Sequence, residues 1–170
     1  MTTVQWSNVF VTSKRKEIVL EALRYCAVNK GLNIYAYCVM NTHLHFLVST
    51  EEPYILKDTI RDFKKFVAKK MIDQLLRENL LESKELLEIY RFEAMRSAKH
   101  KDYKFWKAGN HAIEVYSEKF AWIKINYIHN NPVEAGYVSF PYDWKYSSAS
   151  NYYDRQVLLE EVVVLGPMIR

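Results

Sequence analysis

Apolar side chains recur at spacings of three and four residues in three parts of the chain, which is the pattern of amphipathic helices. The first part spans residues 14–29 and the second spans about residues 53–79. The third begins after Ser117, whose hydroxyl suits a helix N-cap, and is expected to end at Pro132 and Gly136. The pattern therefore predicts three core helices.

Two short runs rich in β-branched and aromatic residues, 33–40 and 43–49, are separated only by Asn41 and Thr42. Two turn-tolerant residues between two strand-like runs predict a tight antiparallel hairpin. Three further runs have strand character, at residues 5–12, 103–116 and 162–165.

Residues 78–100 are charged and helix-prone and contain no proline or glycine, so we interpret them as a helical insertion. A turn is expected after them, at Gly109 and Asn110. The core elements follow the order strand, helix, hairpin, helix, strand, helix. We expect a single α+β domain over residues 1–170, with a ferredoxin-like antiparallel sheet and helices packed mainly on one face.

The composition excludes some classes of function. The four glycines among the 170 residues are too scattered to form a Gly-rich phosphate loop or a dinucleotide-binding fingerprint. The net charge of +4 permits a polyanionic partner without requiring one. Cys26 and Cys38 are expected to be buried free thiols, and no segment approaches the roughly 18 apolar residues of a membrane helix. We therefore expect a cytoplasmic protein with no membrane partner.

Two histidines, His43 and His45, are two residues apart at the start of a predicted strand. Alternate residues of a strand point to the same face, so both imidazoles are expected to project together. Two such groups are half of a divalent-metal site if a third ligand comes from elsewhere. The competing interpretation is a pair of half-buried histidines that are hydrogen-bonded to their neighbours.

The third predicted helix contains Tyr127 and Asn131, which are four residues apart and therefore share a helix face. Their hydroxyl and amide oxygen are suited to act as a nucleophile and a metal ligand. With thirteen tyrosines in the chain, a role in packing or on the surface is the alternative for Tyr127. His129 points away from this face, and we expect it to be structural or to contact DNA.

Residues 57–70 carry six basic side chains against two acidic ones. The basic residues are Lys57, Arg61, Lys64, Lys65, Lys69 and Lys70. They form either a solvated helix face or a surface that contacts DNA phosphates with salt-dependent affinity.

The motifs in these regions resemble those of a known family. The segment AYCVMNTHLHFLVS resembles the HUH motif of single-tyrosine transposases, in which two histidines flank a bulky hydrophobic residue. The segments NYIHNNPVEAGYV and DWKYSSASNYY resemble the C-terminal signature of REP-associated tyrosine transposases, and FWKAGNHAIEV matches the strand before the tyrosine helix. The resemblance covers about residues 5–153, except for 78–100.

The resemblance implies an enzyme that cuts and rejoins single-stranded DNA, often beside a hairpin, through a 5′-phosphotyrosine intermediate. It implies that Tyr127 is the nucleophile and that His43, His45 and Asn131 bind Mg²⁺ or Mn²⁺. The implied partner is single-stranded or hairpin DNA. A homodimer is possible in this family, because some members pair the tyrosine of one subunit with the histidines of the other.

One departure from the family pattern lies in the hairpin turn. Relatives commonly have M-P-N-H, where this chain has Met40-Asn41-Thr42-His43. The missing proline alters the turn but leaves both imidazoles in place.

Two alternative functions stay open at the level of sequence. The first alternative to an active transposase is a domesticated relative that binds hairpin DNA without transposition activity, and the second is an unrelated metal-dependent hydrolase acting on a small phosphoester. The second alternative requires neither Tyr127 nor the basic residues at 57–70.

Overall fold

The computed structural model of the protein describes residues 1–99, 101–109 and 112–166. The expected turn at Gly109 and Asn110 lies partly outside them. The helices and strands are Ser13–Asn29 (α1), Leu32–Val39 (β1), Leu44–Thr50 (β2), Leu56–Glu78 (α2), Leu81–Met95 (α3), Glu118–Glu134 (α4) and Ala149–Tyr152 (α5). Two short 3-10 turns span Val4–Trp6 and Pro141–Asp143. The expected α+β class is confirmed.

β1 and β2 form the predicted antiparallel hairpin. Val39 pairs with Leu44 across the turn, and the backbone N–H of Met40 donates to the carbonyl of His43 at 2.9 Å. The turn therefore closes tightly without the proline of the family pattern.

A bulge in β1 changes the direction in which its side chains point. The register shifts between Ile34 and Ala36, which leaves Tyr35 as an extra residue. One face of β1 joins the main core through Leu32, Ile34, Tyr37 and Val39. The other face forms a second cluster through Ala36, Cys38 and Met40, together with Ile125 and Ile128 of α4. The hairpin is consequently buried on both faces.

Three helices contribute to the main core on the first face of the hairpin, with α1 against β1, α2 against α1 and α3 against α2. α1 and α2 pack against the main core, and α3 is the helix predicted within residues 78–100. Leu86, Leu87 and Tyr90 of α3 are buried in the main core. The Tyr90 hydroxyl forms a hydrogen bond with the hydroxyl of Ser7 at 2.9 Å. α3 is therefore part of the core, and α4 packs against the opposite face.

The first two predicted helices coincide with α1 and α2. The hydroxyl of Thr12 accepts a hydrogen bond from the backbone N–H of Arg15 at 3.3 Å and so caps α1. α2 begins at Leu56 rather than at Pro53, and it ends before Asn79, which has a left-handed φ of +50°.

α4 begins as predicted and ends later than predicted. The Ser117 hydroxyl accepts from the backbone N–H of Phe120 at 3.2 Å, which confirms the N-cap. The expectation that Pro132 ends the helix is wrong, because α4 continues to Glu134. A proline in the last turn removes only one backbone hydrogen bond. The chain leaves the helix at Gly136, whose φ is +72°.

The strand predicted at 5–12 is wrong. The chain forms the 3-10 turn Val4–Trp6 there, and both Gln5 and Trp6 adopt left-handed conformations, with φ of +51° and +52°. The preceding Thr2 and Thr3 make isolated β-bridges. The left-handed pair therefore turns the chain away from the sheet before a strand can extend.

The predicted strands at 103–116 and 162–165 also do not form in the described residues. Each contributes one isolated bridge, through Trp106 and through Val162. Phe105 and Trp106 are neighbours and are both buried in the main core. They are held there by the isolated bridge between Thr3 and Trp106 rather than by a continuous strand pairing.

Two expectations from composition concern the cysteines and membrane segments. Cys26 and Cys38 are buried free thiols, as expected. Burial raises the pKa of Cys26 to about 11 and the pKa of Cys38 to about 12, so neither is a ready nucleophile. Within the described residues, no helix is both long enough and apolar enough to cross a membrane.

Candidate active site

His43 and His45 lie at the start of β2, on the face of the hairpin that α4 covers. Both side chains are half-buried, and their ring centroids are 4.7 Å apart. The hydroxyl of Thr42 lies 2.9 Å from Nδ1 of His43, which leaves Nε2 of His43 available to a ligand. The strand spacing thus brings the two imidazoles together.

His45 carries a ring nitrogen without a hydrogen bond. Its Nε2 is shielded from water and has no hydrogen-bond partner in the described part of the chain. Burial, with a smaller effect from His43, lowers the pKa of His45 to about 4, and burial also lowers the pKa of His43. Both imidazoles are therefore neutral near pH 7, which is the form that binds metal ions. A ligand would explain why this buried nitrogen is left without a protein partner.

Tyr127 projects from α4 toward the histidines. Its ring centroid is 5.5 Å from that of His45, with the two planes at 90°. Ile125 and Ile128 anchor this part of α4 in the second cluster against β1. The tyrosine side chain remains 49% exposed, so its hydroxyl is accessible to a polymer that lies on the surface.

Asn131 lies one helical turn after Tyr127. Its amide nitrogen donates to the backbone carbonyl of Tyr127 at 2.6 Å. This bond sets the orientation of the amide and leaves its oxygen available as an acceptor or metal ligand. A hydrogen-bonding interaction of the Asn131 side chain with the His45 imidazole raises the pKa of that imidazole against the effect of burial, although no atom forms a hydrogen bond of good geometry with Nε2 among the described residues.

The donor set fits the divalent metal that the resemblance implies. Two neutral imidazoles and one amide oxygen are available, and one imidazole nitrogen is otherwise unsatisfied. No group of three or more His, Cys, Asp and Glu side chains suited to a metal occurs among the described residues, so Asn131 would be the third ligand. Because Mg²⁺ prefers oxygen ligands, this nitrogen-rich set suits Mn²⁺ better.

His129, on the same helix, has a different role. It is buried, and its Nε2 lies 2.8 Å from the hydroxyl of Ser148. Its ring also contacts the ring of Tyr152 at 5.1 Å between centroids. Of the two roles expected for His129, the structure supports the structural one and not contact with DNA.

The six basic residues predicted to contact DNA all lie on α2, but they do not form one uniform surface. Lys57, Arg61, Lys65, Lys69 and Lys70 are exposed. Arg61 is partly neutralised, because it forms ion pairs with Asp58 at 2.6 Å and with Asp62 at 3.4 Å.

Lys64 and Lys70 each lie over an aromatic ring of the protein. Lys64 is half-buried, with its ammonium 5.9 Å from the ring centroid of Trp106. Lys70 lies 5.5 Å from the ring of Phe66 and lines a groove of about 550 Å³ between α1 and α2. That groove contains neither the candidate metal ligands nor Tyr127.

Three further residues lie around the histidines and Tyr127, and no motif in the sequence indicates them. The ring of Trp6 is 5.5 Å from that of His43, and the ammonium of Lys107 is 5.9 Å from the Trp6 ring. The ammonium of Lys124 is 6.0 Å from the ring of Tyr127. Lys124 precedes Tyr127 by three residues, so helical spacing alone could have indicated it. Trp6 and Lys107 meet only through tertiary contacts.

Comparisons with known proteins show what the chain is similar to. The model of the family described as "Transposase IS200 like" matches residues 1–131. Among solved structures, a REP-associated tyrosine transposase bound to a REP hairpin matches with a TM-score of 0.63 and 15% identity. The match covers 99% of this chain and 84% of that chain, and at this identity it concerns the fold. No curated protein gives a significant sequence match.

Proposed function

The chain belongs to the IS200-like transposase family, and we propose that it is a metal-dependent transposase acting on single-stranded DNA. It cleaves and rejoins the strand at hairpin elements through a 5′-phosphotyrosine intermediate. The observation that carries the proposal is the convergence of Tyr127 with His43 and His45, where His45 retains a buried nitrogen that has no partner among the described residues. The related structure, which contains a REP hairpin, supports hairpin DNA as the substrate.

In the proposed reaction, the hydroxyl of Tyr127 attacks the scissile phosphate. A bond forms between the phenolic oxygen and phosphorus, and the bond between phosphorus and the 3′ oxygen breaks. The leaving oxygen takes up a proton to become a 3′-hydroxyl, and the phenolic proton passes to solvent, to which the side chain is open. The phosphotyrosine bond keeps the energy of the phosphodiester. Rejoining to another 3′-hydroxyl therefore needs no nucleoside triphosphate.

His43, His45 and Asn131 would hold the divalent cation. When bound, it would polarise the phosphate and neutralise the charge that develops during attack. The hydroxyl of Thr42 restrains the ring of His43, as outer hydrogen bonds commonly do for metal ligands. These residues and Tyr127 come from one chain, so the proposed reaction does not require a second subunit.

The proposal extends to the exposed basic side chains of α2, which would bind DNA phosphates. Within the predicted set these are Lys57, Arg61, Lys65, Lys69 and Lys70. Their contribution would weaken with salt and would not depend on the DNA sequence. Lys64 would contribute less, because its side chain is half-buried.

A covalent-adduct assay tests the proposed function. The protein is incubated with Mn²⁺ and hairpin oligonucleotides that have single-stranded flanks and a label at the 3′ end. The hairpins are taken from repeated palindromes in the genome that carries the gene. We expect an adduct that survives denaturing electrophoresis, disappears in Tyr127→Phe and disappears when the metal is chelated.

Tyr153→Phe is the matched control, because Tyr153 is exposed to a similar extent and should not affect the adduct. An adduct that persists undiminished in Tyr127→Phe would contradict the assignment of the nucleophile. Tight hairpin binding without cleavage, with either Mg²⁺ or Mn²⁺, would instead identify a DNA-binding protein that has no transposase activity.

A further inference from the structure

Trp6 is an exposed aromatic residue beside the histidine pair. Its side chain is 55% exposed, although tryptophan has one of the largest apolar surfaces of any residue. Trp6 and the preceding Gln5 both have positive φ, which bulky L-residues rarely adopt. Such backbone strain persists only where surrounding contacts impose it, and it is common at functional sites.

Contacts on both sides of Trp6 hold this strained turn in place. Before it, both the backbone N–H and the hydroxyl of Thr3 donate to the carbonyl of Thr42, at 3.2 Å and 2.9 Å. After it, the hydroxyl of Ser7 is bonded to Tyr90 of α3. The indole is therefore presented to solvent by a turn that is fixed to the hairpin and to the core.

The neighbours of Trp6 connect it to the proposed reaction site. Its ring meets the ring of His43 edge-on, with centroids 5.5 Å apart and planes at 78°. Ring contacts continue from His43 to His45 and from His45 to Tyr127. Trp6 and Tyr127 are thus the two ends of a run of four rings with the candidate metal ligands in the middle. The ammonium of Lys107 adds a positive charge 5.9 Å from the indole.

Resting on the proposed function, we propose that Trp6 stacks on the base next to the scissile phosphate and that Lys107 binds a flanking phosphate. Proteins hold single-stranded nucleic acid by combining exposed aromatic rings with cations, because every base has a face that can stack. A base that covers the indole would also remove its apolar surface from water. Trp6 is in this view a substrate-positioning residue that is distinct from the metal ligands and the nucleophile.

Binding measurements in the Tyr127→Phe background, where cleavage is blocked, test this inference. The probe is a fluorescent hairpin with single-stranded flanks, and the readout is the Kd from fluorescence anisotropy. Trp6→Ala should weaken binding by about tenfold, and Trp6→Phe should recover most of the loss. Tyr25→Ala is the matched control, because Tyr25 is an exposed aromatic residue on α1 and should leave the Kd unchanged.

An abasic nucleotide in the probe separates stacking from a structural role of Trp6. Removing the base next to the cleavage position should weaken binding by the unsubstituted Trp6 protein as much as Trp6→Ala does. Combining the abasic probe with Trp6→Ala should then produce little further loss. Lys107→Gln should lower the slope of log K against log salt by about one.

Equal binding by Trp6→Ala and Tyr25→Ala would overturn the inference. Independent losses from Trp6→Ala and from the abasic nucleotide would overturn it as well, because they would show that the base and the indole do not interact. Failure of the proposed function would be seen separately, as the absence of a covalent adduct in protein that retains Tyr127, whatever the effect of Trp6.

Discussion

Two polar clusters in this protein differ in whether their groups find partners within the chain. Where α1, α2 and α3 meet, the side chain of Arg15 is only 1% exposed, yet it bonds to Glu78 at 2.5 Å, Glu82 at 2.9 Å and Ser83 at 3.0 Å. At the start of β2, the buried Nε2 of His45 has no partner among the described residues. The first cluster is complete by itself, whereas the second has capacity for a ligand.

The comparison shows which observation separates a structural polar group from a binding one. Burial lowers the pKa of His45 and the pKa of His129 to about 4, so the pKa values do not distinguish them. The hydrogen bonds do, because Nε2 of His129 is bonded to Ser148 and Nε2 of His45 is left over. Five other buried atoms of the described residues also lack a hydrogen-bond partner, so it is the second imidazole and Tyr127 beside it that distinguish Nε2 of His45.

The largest expected effect lies in the Arg15 cluster. Arg15→Met should lower the free energy of unfolding by about 3–5 kcal/mol, because it leaves Glu78 largely buried without its charged partner. Urea denaturation measures the change. Arg24→Met on the same helix is the control, since its ion pair with Glu161 is more exposed and should be worth less than about 1 kcal/mol. Equal losses of stability in the two variants would contradict the expectation that the buried ion pairs of Arg15 stabilise the fold more than the exposed ion pair of Arg24.

The pH dependence of stability also tests the ion pair between Arg15 and Glu78. Burial alone would raise the pKa of Glu78 above its ordinary value of 4.5. Hydrogen bonds from Arg15, Gln74 and Ser83 outweigh burial and lower this pKa to about 2. This carboxylate therefore stabilises the fold above about pH 4.5, and its contribution is lost as the pH falls toward 2. Between these values the wild type should lose about 2 kcal/mol more stability than Glu78→Gln.

Unfolding measured across this pH range in both proteins checks the expectation. The difference should largely vanish in an Arg15→Met background, because the main partner of Glu78 is then absent. If the free energy of unfolding changes with pH in the same way in the wild type and in Glu78→Gln, the hydrogen bonds to Glu78 do not contribute to the pH dependence of stability.

The smallest expected effect on stability belongs to His45. His45→Ala should change the free energy of unfolding by less than about 1 kcal/mol, because its Nε2 forms no hydrogen bond in the described residues. His129→Ala, the matched variant, should cost about 1–2 kcal/mol, since it removes a satisfied buried group.

Mn²⁺ binding should follow the opposite order. His45→Ala should lower the affinity for Mn²⁺ by more than the roughly 10- to 100-fold loss that is typical when a residue hydrogen-bonded to a metal ligand is changed. His129→Ala that is folded should bind Mn²⁺ as the wild type does. Calorimetric titration measures both affinities. If both variants lose metal equally, or neither does, the unfilled nitrogen of His45 is not a metal ligand.

Much of the candidate site follows from local periodicity. A spacing of two places His43 and His45 on one strand face, and a spacing of four places Tyr127 and Asn131 on one helix face. These relations hold wherever a regular strand or helix forms. The hairpin and the capped helix could be recognised from their turn and capping residues alone.

The irregular segments could not be predicted in this way. The left-handed turn at Trp6 depends on backbone bonds from Thr3 to Thr42 and from Val4 to Phe105, which join distant parts of the chain. Local β-propensity favours a strand there, and tertiary contacts override it. The position of Trp6 beside the histidines was therefore not accessible from its neighbours in sequence.

The sequence by itself determined the faces on which the candidate nucleophile and the candidate ligands lie, because side-chain direction follows from the repeat of a helix or strand. Only the tertiary structure decided that these faces meet. Burial of Ile125 and Ile128 against β1 docks α4 on the hairpin and brings Tyr127 to His45, more than eighty positions earlier in the chain. The tertiary structure also decided that Nε2 of His45 lacks a hydrogen-bond partner, because the partners of a buried group come from distant parts of the chain that pack against it.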